Sequence, residues 1–437
     1  MKIIFKNIGF FKEAELELKG LTVLAGENDT GKSTLGRLIF SMVKAEHFSK
    51  ERFFRENRNR FINLKFNEIK AFLKILKIGY ENKIEEIKKK VFKILKSKNK
   101  EQFKKQQFKE VEKEINFIIN QVKKNEINVE SLLQNFEKIK EAFDENGFKV
   151  KFRNLVLKRM ITTNFKDSIV SKFSNVNEAR IEYENGKIVI NAQSEDDIFV
   201  LRFDNFFYFK DATIIETPVV LQIGDVLSRI SYEFTYKDEQ WENYPYTFRD
   251  LILKIFKFKR DIDISEEEEK KTELIKILLN ILPGKVEYKE GSLKYYYKTH
   301  SFNILSTATG VKSFAILYLL LQRGFLTSYK NILIVDEPEI HLHPRWQIEY
   351  AKFLIELVKR GTFVLVNTHS PYIVEAIETF RKKEKILDRI KFYLSEKYEN
   401  NGEVFCVLKD VTSSTEEIYQ KLYIPLEELE QIAIENE

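Results

Sequence analysis

LTVLAGENDTGKST, residues 21–34, decides the reading of this chain. It opens with an apolar run, Leu21 to Ala25, with the composition of a buried strand, and continues through Gly26, Gly31, Lys32 and Ser33 in the register G-x-x-x-x-G-K-[ST]. Ser33 to Phe40 has helical spacing, so a glycine turn joins a strand to a helix. That context separates a phosphate-binding loop from a chance turn. Gly26 and Gly31 let the backbone bend tightly enough for N–H groups to converge on an anion, and the helix start adds its positive end. The expected nucleotide-binding segment is Gly26, Glu27, Asn28, Asp29, Thr30, Gly31, Lys32, Ser33 and Thr34, with Lys32 reaching the β and γ phosphates and Ser33 binding Mg²⁺.

Far downstream, LIVDEPEIHLHP at 333–344 supplies acids. Ile332 to Val335 reads as a central parallel strand, and Asp336 and Glu337 stand at its carboxyl end, where open α/β sheets place their sites. Asp336 is expected to hold Mg²⁺ and Glu337 to accept a proton from an attacking water. The bland alternative is that two adjacent acids cap the next helix. A further apolar strand, Thr362 to Val366, ends in Asn367, Thr368, His369 and Ser370.

GENDTGKST, LSTATGVKS, LIVDEPEIHLHP and VNTHSP, in that order, resemble the motifs of ABC-type ATPase heads. More narrowly they resemble the RecF, Rad50 and overcoming-lysogenisation group. DEPEIHLHPRWQ and THSPYIVEAIE are similar to the ATPase subunits of Septu-type, retron-associated and PARIS-type antiviral defence. The resemblance covers both ends of the chain and leaves the middle. It implies an α/β fold: a P-loop head with a mixed β-sheet, an antiparallel β flank and helical insertions. It also implies ATP and Mg²⁺ as cofactors and His369 as a switch residue on the γ phosphate.

Two protomers of such heads sandwich ATP, each lending a signature motif to the other, so a homodimer or higher homo-oligomer is expected. The best match here is Thr309-Gly310 with Lys312, threonine replacing serine and no second glycine; helix capping is the simple alternative, but the segment precedes the acidic strand by a single apolar helix, Phe314 to Leu321, as a signature does. Such heads also carry a glutamine near Mg²⁺, for which Gln222 is the candidate. In the resemblance, EIHLHP occupies the segment along the dimer interface, which implies that Glu339, His341 and Arg345 could communicate between sites. His341 and His343 are not read as a zinc site, because no cysteine or third histidine is near them in sequence.

Residues 1–45 read as the N-terminal part of the head, with two antiparallel strands around Gly9. Residues 46–160 form a helical insertion almost without glycine or proline, apolar at Val111, Ile115, Ile118, Ile119 and Val122. It sits where Rad50-like proteins carry a coiled coil, but an arm of about thirty residues would span only roughly 45 Å, so a compact hairpin, bundle or lid is expected. Residues 161–222 return to strands, with Asn185-Gly186 at a hairpin turn. Residues 223–284 form a second helical subdomain with a capping box at Ser265 and Glu268 and a stop at Pro283-Gly284. Residues 285–437 complete the head with signature, Walker B acids and histidine switch.

The 437 residues can bury a substantial core, and the formal charge of +6 balances 73 basic against 67 acidic residues. One cysteine, Cys406, excludes an intramolecular disulfide framework, and no apolar run has the length of a membrane span; a soluble, cytoplasmic protein is expected. Residues 91–110 hold seven lysines and two glutamates with phenylalanines between, so Lys93 to Lys109 is a candidate nucleic-acid contact, set against a plain solvated face. The 68 residues after His369 are too few for an appended TOPRIM nuclease domain. The expected role is therefore an ATP-hydrolysing sensor or scaffold that controls a separate nuclease or toxin subunit. The alternative is a RecF- or Rad50-like DNA clamp for repair; a transporter subunit fits less well because of the insertion.

Overall fold

The computed structural model describes residues 1–48, 51–97, 101–125, 127–165, 169–170, 177–194, 197–204, 208–222, 244–256, 265–289, 292–327, 330–400 and 402–435. The chain opens with strands β1 (Lys2–Ile8), β2 (Phe11–Glu17) and β3 (Leu21–Ala25) and helix α1 (Lys32–Phe48). Helices α2 (Glu51–Ile75), α3 (Glu81–Lys96), α4 (Glu101–Lys123), α5 (Glu130–Glu141) and α6 (Glu145–Phe165) follow. Strands β4 (Glu178–Tyr183), β5 (Gly186–Ser194), β6 (Asp197–Phe203) and β7 (Asp211–Ile215) precede helices α7 (Tyr246–Phe256) and α8 (Ser265–Ile281). Then come β8 (Lys285–Lys289), β9 (Ser292–Tyr297), β10 (His300–Asn303), α9 (Thr309–Gln322), β11 (Asn331–Asp336) and α10 (Pro344–Lys359). The last elements are β12 (Phe363–Thr368), α11 (Pro371–Lys383), β13 (Ile390–Asn400), β14 (Glu403–Asp410) and α12 (Glu416–Glu435).

The fold is mixed α/β. One sheet runs in the order β6-β5-β4-β1-β2-β14-β13-β3-β12-β11-β7, and a second in the order β10-β9-β8. Neighbours from β13 to β7 are all parallel, with Val23 opposite Val366 and Val366 opposite Val335. Every residue of β3 and β7 is buried, as expected of strands covered on both faces. Because these strands run one way, Ala25, Asp336, Thr368 and Ile215 finish at one edge of the sheet. In the other arm β6, β5, β4, β1 and β2 are antiparallel neighbours, and β2 meets β14 in parallel at Phe11 and Cys406; Ile3, Phe5 and Ile8 of β1 are buried.

The β4–β5 turn differs from expectation by one residue. Tyr183 pairs with Gly186, so the two-residue loop is Glu184-Asn185 and Gly186 opens β5. Asp204 decides this: its carboxylate accepts the Lys187 N–H at 3.0 Å, and a Cβ on Gly186 would lie 2.4 Å from the Asp204 Cβ. In the second helical region, residues 223–243 and 257–264 and the Ser265 side chain of the expected capping box lie outside the described residues. Helix α8 ends at Ile281, and Gly284 fits beneath the Tyr295 ring, where a Cβ would approach within 2.4 Å.

Among the described residues two compact units emerge, one within 1–47, 157–222 and 244–435, the other within 48–156. The second unit, in its described part, is a helical bundle. Its interior is built from Ile62, Phe66, Ile69 and Leu73 of α2, Ile84, Ile87, Val91 and Leu95 of α3, and Val111, Ile115, Ile118, Ile119 and Val122 of α4. These spacings of three and four place each set on one helix face.

Candidate functional site

The loop between β3 and α1 is shaped from outside. Gly26 has φ +146°, and a Cβ there would lie 2.2 Å from the Ser395 carbonyl oxygen of β13. Gly31 has φ +82° and lies against the Phe11 ring, while Asp29 adopts φ +59°. Such angles are accessible to glycine and strained for other residues. Ser395 Oγ donates to Thr30 O at 2.7 Å, Thr30 Oγ1 to Glu27 O at 2.9 Å, and Lys397 pairs with Asp29 at 2.6 Å. Strand β13 thus braces the loop, a role for Ser395 and Lys397 that sequence reading missed, since nothing local to them signals it.

Lys32 is buried, and its ammonium donates to Gly26 O at 2.9 Å, to Glu27 O and to Thr30 Oγ1 at 3.2 Å. Three acceptors match its three protons. Burial pushes its pKa down, against the nearby carboxylates of Glu337, Asp336 and Glu339. Ser33, at the start of α1, donates Oγ–H to Asp336 Oδ1 at 2.9 Å across 303 residues of sequence. The same oxygen accepts Asn367 Nδ2–H at 2.8 Å, because the parallel register sets Asp336 opposite Asn367. The sequence places Asn367 at the end of this strand, one step before Thr368, His369 and Ser370, without signalling this bond to Asp336.

Beyond Asp336 the chain turns sharply. Glu337 has φ +49° and donates its N–H to Asn367 O at 2.9 Å. A left-handed non-glycine residue costs about 1–2 kcal/mol, the kind of strain that clusters at functional positions. Its carboxylate, about a third exposed, has Oε1 3.9 Å from His369 Nδ1. Glu339 is buried, and its Oε1 accepts Thr368 Oγ1–H at 2.9 Å and the His369 backbone N–H at 2.7 Å. His369 Nδ1 lies 3.1 Å from the same oxygen, close enough for an ion pair though not aligned as a hydrogen bond. Burial raises the Glu339 pKa, opposed by these contacts. Glu339 therefore turns inward to His369.

A family model, the AAA ATPase domain, matches residues 1–374, which include the loop, both acids and His369. The chain belongs to the AAA ATPase domain family. ATP with Mg²⁺ is the general cofactor pair of such ATPase domains, and the donor set here fits the metal: Ser33 and Asp336 offer hard oxygens side by side, leaving other positions to phosphate and water. Among curated relatives, the Septu protein PtuA of Bacillus thuringiensis is 35% identical over 48 residues, which is 11% of this chain and 12% of that protein. The chain thus matches only a small part of that relative's length. Among solved structures, the SMC head domain from Thermotoga maritima is similar at 10% identity and TM-score 0.39, over 94% of this chain and 98% of that one. The Smc head domain with an extended coiled coil, bound to the C-terminal domain of ScpA and derived from Pyrococcus furiosus, is similar at 11% and 0.33, over 96% and 98%.

The remaining candidates of this ATPase domain fall elsewhere. Gln222 is exposed, beyond the turn at Pro218, and donates its backbone N–H to Val219 O. The residue at the end of β7 is instead Glu216, one step past the Ile215–Val335 pair, held by Arg37 of α1 and by Thr247 Oγ1 at 2.7 Å. With Ser313, Asp336, Glu337 and Tyr350 it lines one recess. Thr309 and Gly310 begin α9, whose N-cap is Ala308 with no side-chain bond, so the hydroxyls there do not cap it: Thr307 donates to Ile304 O. A Cβ on Gly310 would lie 2.7 Å from the Trp346 ring, and Lys312 is buried. Among the described residues no hydrogen bond or ion pair ties Thr309, Gly310 or Lys312 to residues 26–34. His343 accepts the Arg345 N–H as N-cap of α10.

In the basic run, Phe108 is buried and stacked on Phe143 at 4.0 Å, Lys105 pairs with Asp144, and Lys104 donates to Leu95 O. Residues 98–100 lie outside the described residues. Among the described phenylalanines of the run, Phe103 alone is strongly exposed. No helix among the described residues is long and apolar enough to cross a membrane.

Proposed function

We propose that this chain binds ATP on residues Gly26 to Thr34 and hydrolyses it, and that hydrolysis times the opening of an assembly of two or more copies. The supporting observation is the 2.9 Å bond from Ser33 Oγ to Asp336 Oδ1, which brings together the two oxygens suited to Mg²⁺ at the edge of the sheet that also carries Glu337 and His369. Bound Mg²⁺ would offset phosphate charge as the β–γ bond breaks. Lys32 exchanges its loop carbonyls for phosphate oxygens, and Glu337 takes the proton of the attacking water. His369 meets the γ phosphate.

In this reading Thr309, Gly310 and Lys312 act on the nucleotide of a second copy, as the resemblance of this segment to the signature motif of ABC-type heads implies. The output is control of a separate effector, a nuclease or toxin, in antiviral defence. The DNA clamp is the alternative reading: Lys93, Lys96 and Lys109 are exposed in the basic run, while Lys105 pairs with Asp144 and Phe108 is buried against Phe143.

Glu337→Gln tests the reading. With the base removed and phosphate ligands kept, turnover should fall about a hundredfold or more while ATP remains bound and the multimer accumulates in light scattering. Wild-type turnover in this variant would refute it.

A further inference from the structure

Glu339 lies in the turn between β11 and α10, a segment where acids normally face water, yet it is only 7% exposed. Burying a carboxylate is unfavourable unless the protein supplies partners. The contacts recorded for it come from two consecutive residues at the end of β12: the Thr368 hydroxyl, the His369 N–H and, at 3.1 Å, His369 Nδ1. Its second oxygen, Oε2, is buried with no hydrogen-bond partner among the described residues. The His369 ring is 38% exposed while Nδ1 is buried, so the accessible edge is the one bearing Nε2.

We propose that Glu339 is a positioning residue that holds the His369 imidazole with Nδ1 turned inward and Nε2 presented to the terminal phosphate of ATP. The inference rests on the nucleotide reading of the site. Glu339 does not itself meet the nucleotide: Oε1 already serves three groups of β12, and an anion would repel a phosphate. It acts by restricting the ring. A histidine at a strand end is otherwise free to sample rotamers, and holding it beforehand lowers the entropy lost when a ligand engages it. The left-handed turn at Glu337 delivers Glu339 to this position.

The test is equilibrium binding of ATPγS and of ADP, each with Mg²⁺, to the full chain. Glu339→Leu removes the acceptor at similar volume and should weaken ATPγS about tenfold, one hydrogen bond's worth, while ADP stays within about twofold, since only the terminal phosphate reaches His369. Glu339→Gln keeps an acceptor at Oε1 and should restore most of the ATPγS affinity. In a His369→Ala background, Glu339→Leu should add nothing. Equal losses for ADP and ATPγS, or a loss fully additive with His369→Ala, would overturn the proposal. Should Glu339→Leu fail to fold, Thr368→Val removes one bond to Oε1 and should show the same selectivity on a smaller scale; loss of ADP and ATPγS alike would again overturn it. If His369→Ala itself leaves ATPγS binding unchanged, the failure lies with the nucleotide reading of His369, and the role of Glu339 falls with it.

Discussion

Gly26→Ala is the sharpest probe of how the loop is built. A Cβ on residue 26 would lie 2.2 Å from the Ser395 carbonyl oxygen, 3.2 Å from its carbon and 3.4 Å from its nitrogen. All three are backbone atoms of β13, which pairs with β3 from Ile390 to Leu394 and so cannot retreat without breaking that ladder. The residue also has φ +146°, which an alanine occupies only under strain. Taking about 1–3 kcal/mol for the disfavoured backbone and about 1–3 kcal/mol for overpacking gives a cost of roughly 2–6 kcal/mol. The loop can relieve this by moving away from β13, but that breaks the Ser395–Thr30 bond and opens the carbonyl ring that receives Lys32. Either route should abolish nucleotide affinity: isothermal titration with ATPγS should show a loss of about a hundredfold or more, together with a lower urea midpoint. Unchanged affinity and an unchanged midpoint would refute the claim that β13 shapes the loop.

Other outcomes follow from the same geometry. Asp211, on β7, forms a buried quartet with Lys44, Lys254 and Asp250 at 2.6–3.1 Å. Burial alone would raise its pKa, but Lys254 and Lys44 outweigh this and hold it well below the usual carboxylate range. The stabilisation is present above the unfolded carboxylate pKa and is lost as pH falls through the lower folded value. Asp211→Asn should therefore cost about 3–5 kcal/mol in urea denaturation at neutral pH, with the gap to wild type narrowing in strong acid; a pH-independent gap would contradict the quartet. Thr309→Arg should leave the monomer's fold and ATPγS affinity near wild type, because the N-cap of α9 makes no side-chain bond, while ATP-dependent assembly and turnover are lost. Surviving assembly in that variant would mean the helix start of α9 does not face a second nucleotide.

The parallel half of the fold was legible because its strands are short, apolar and bounded by their own motifs: Leu21 to Ala25 before the glycine turn, Ile332 to Val335 before the acids, Thr362 to Val366 before the histidine. The hairpin turn was misplaced by one residue because Asn-Gly is the strongest local turn signal, whereas Asp204, distant in sequence, decides the pairing of Gly186. A glutamine was sought at 222 by analogy, but the end of β7 is set by its pairing with β11, and Glu216 stands there. Within the lysine- and phenylalanine-bearing run at 91–110 only packing tells the rings apart: Phe108 turns inward against Phe143 while Phe103 stays exposed.

What the sequence alone determined is the local build of the loop from Gly26 to Thr34, since its turn, its lysine and its hydroxyl are contiguous and its backbone angles follow from a local pattern. It also determined which strands must be central, because continuous apolar runs exclude water on both faces. The tertiary structure decided everything that depends on parallel register. Register sets Asp336 beside Asn367, and packing brings Ser33 to Asp336 and turns Glu339 under His369. Such pairings join residues separated by helices and crossovers, and hydrogen bonds between them form only once the sheet edge has closed, so no local pattern could announce that a buried glutamate, and not an exposed one, holds the histidine.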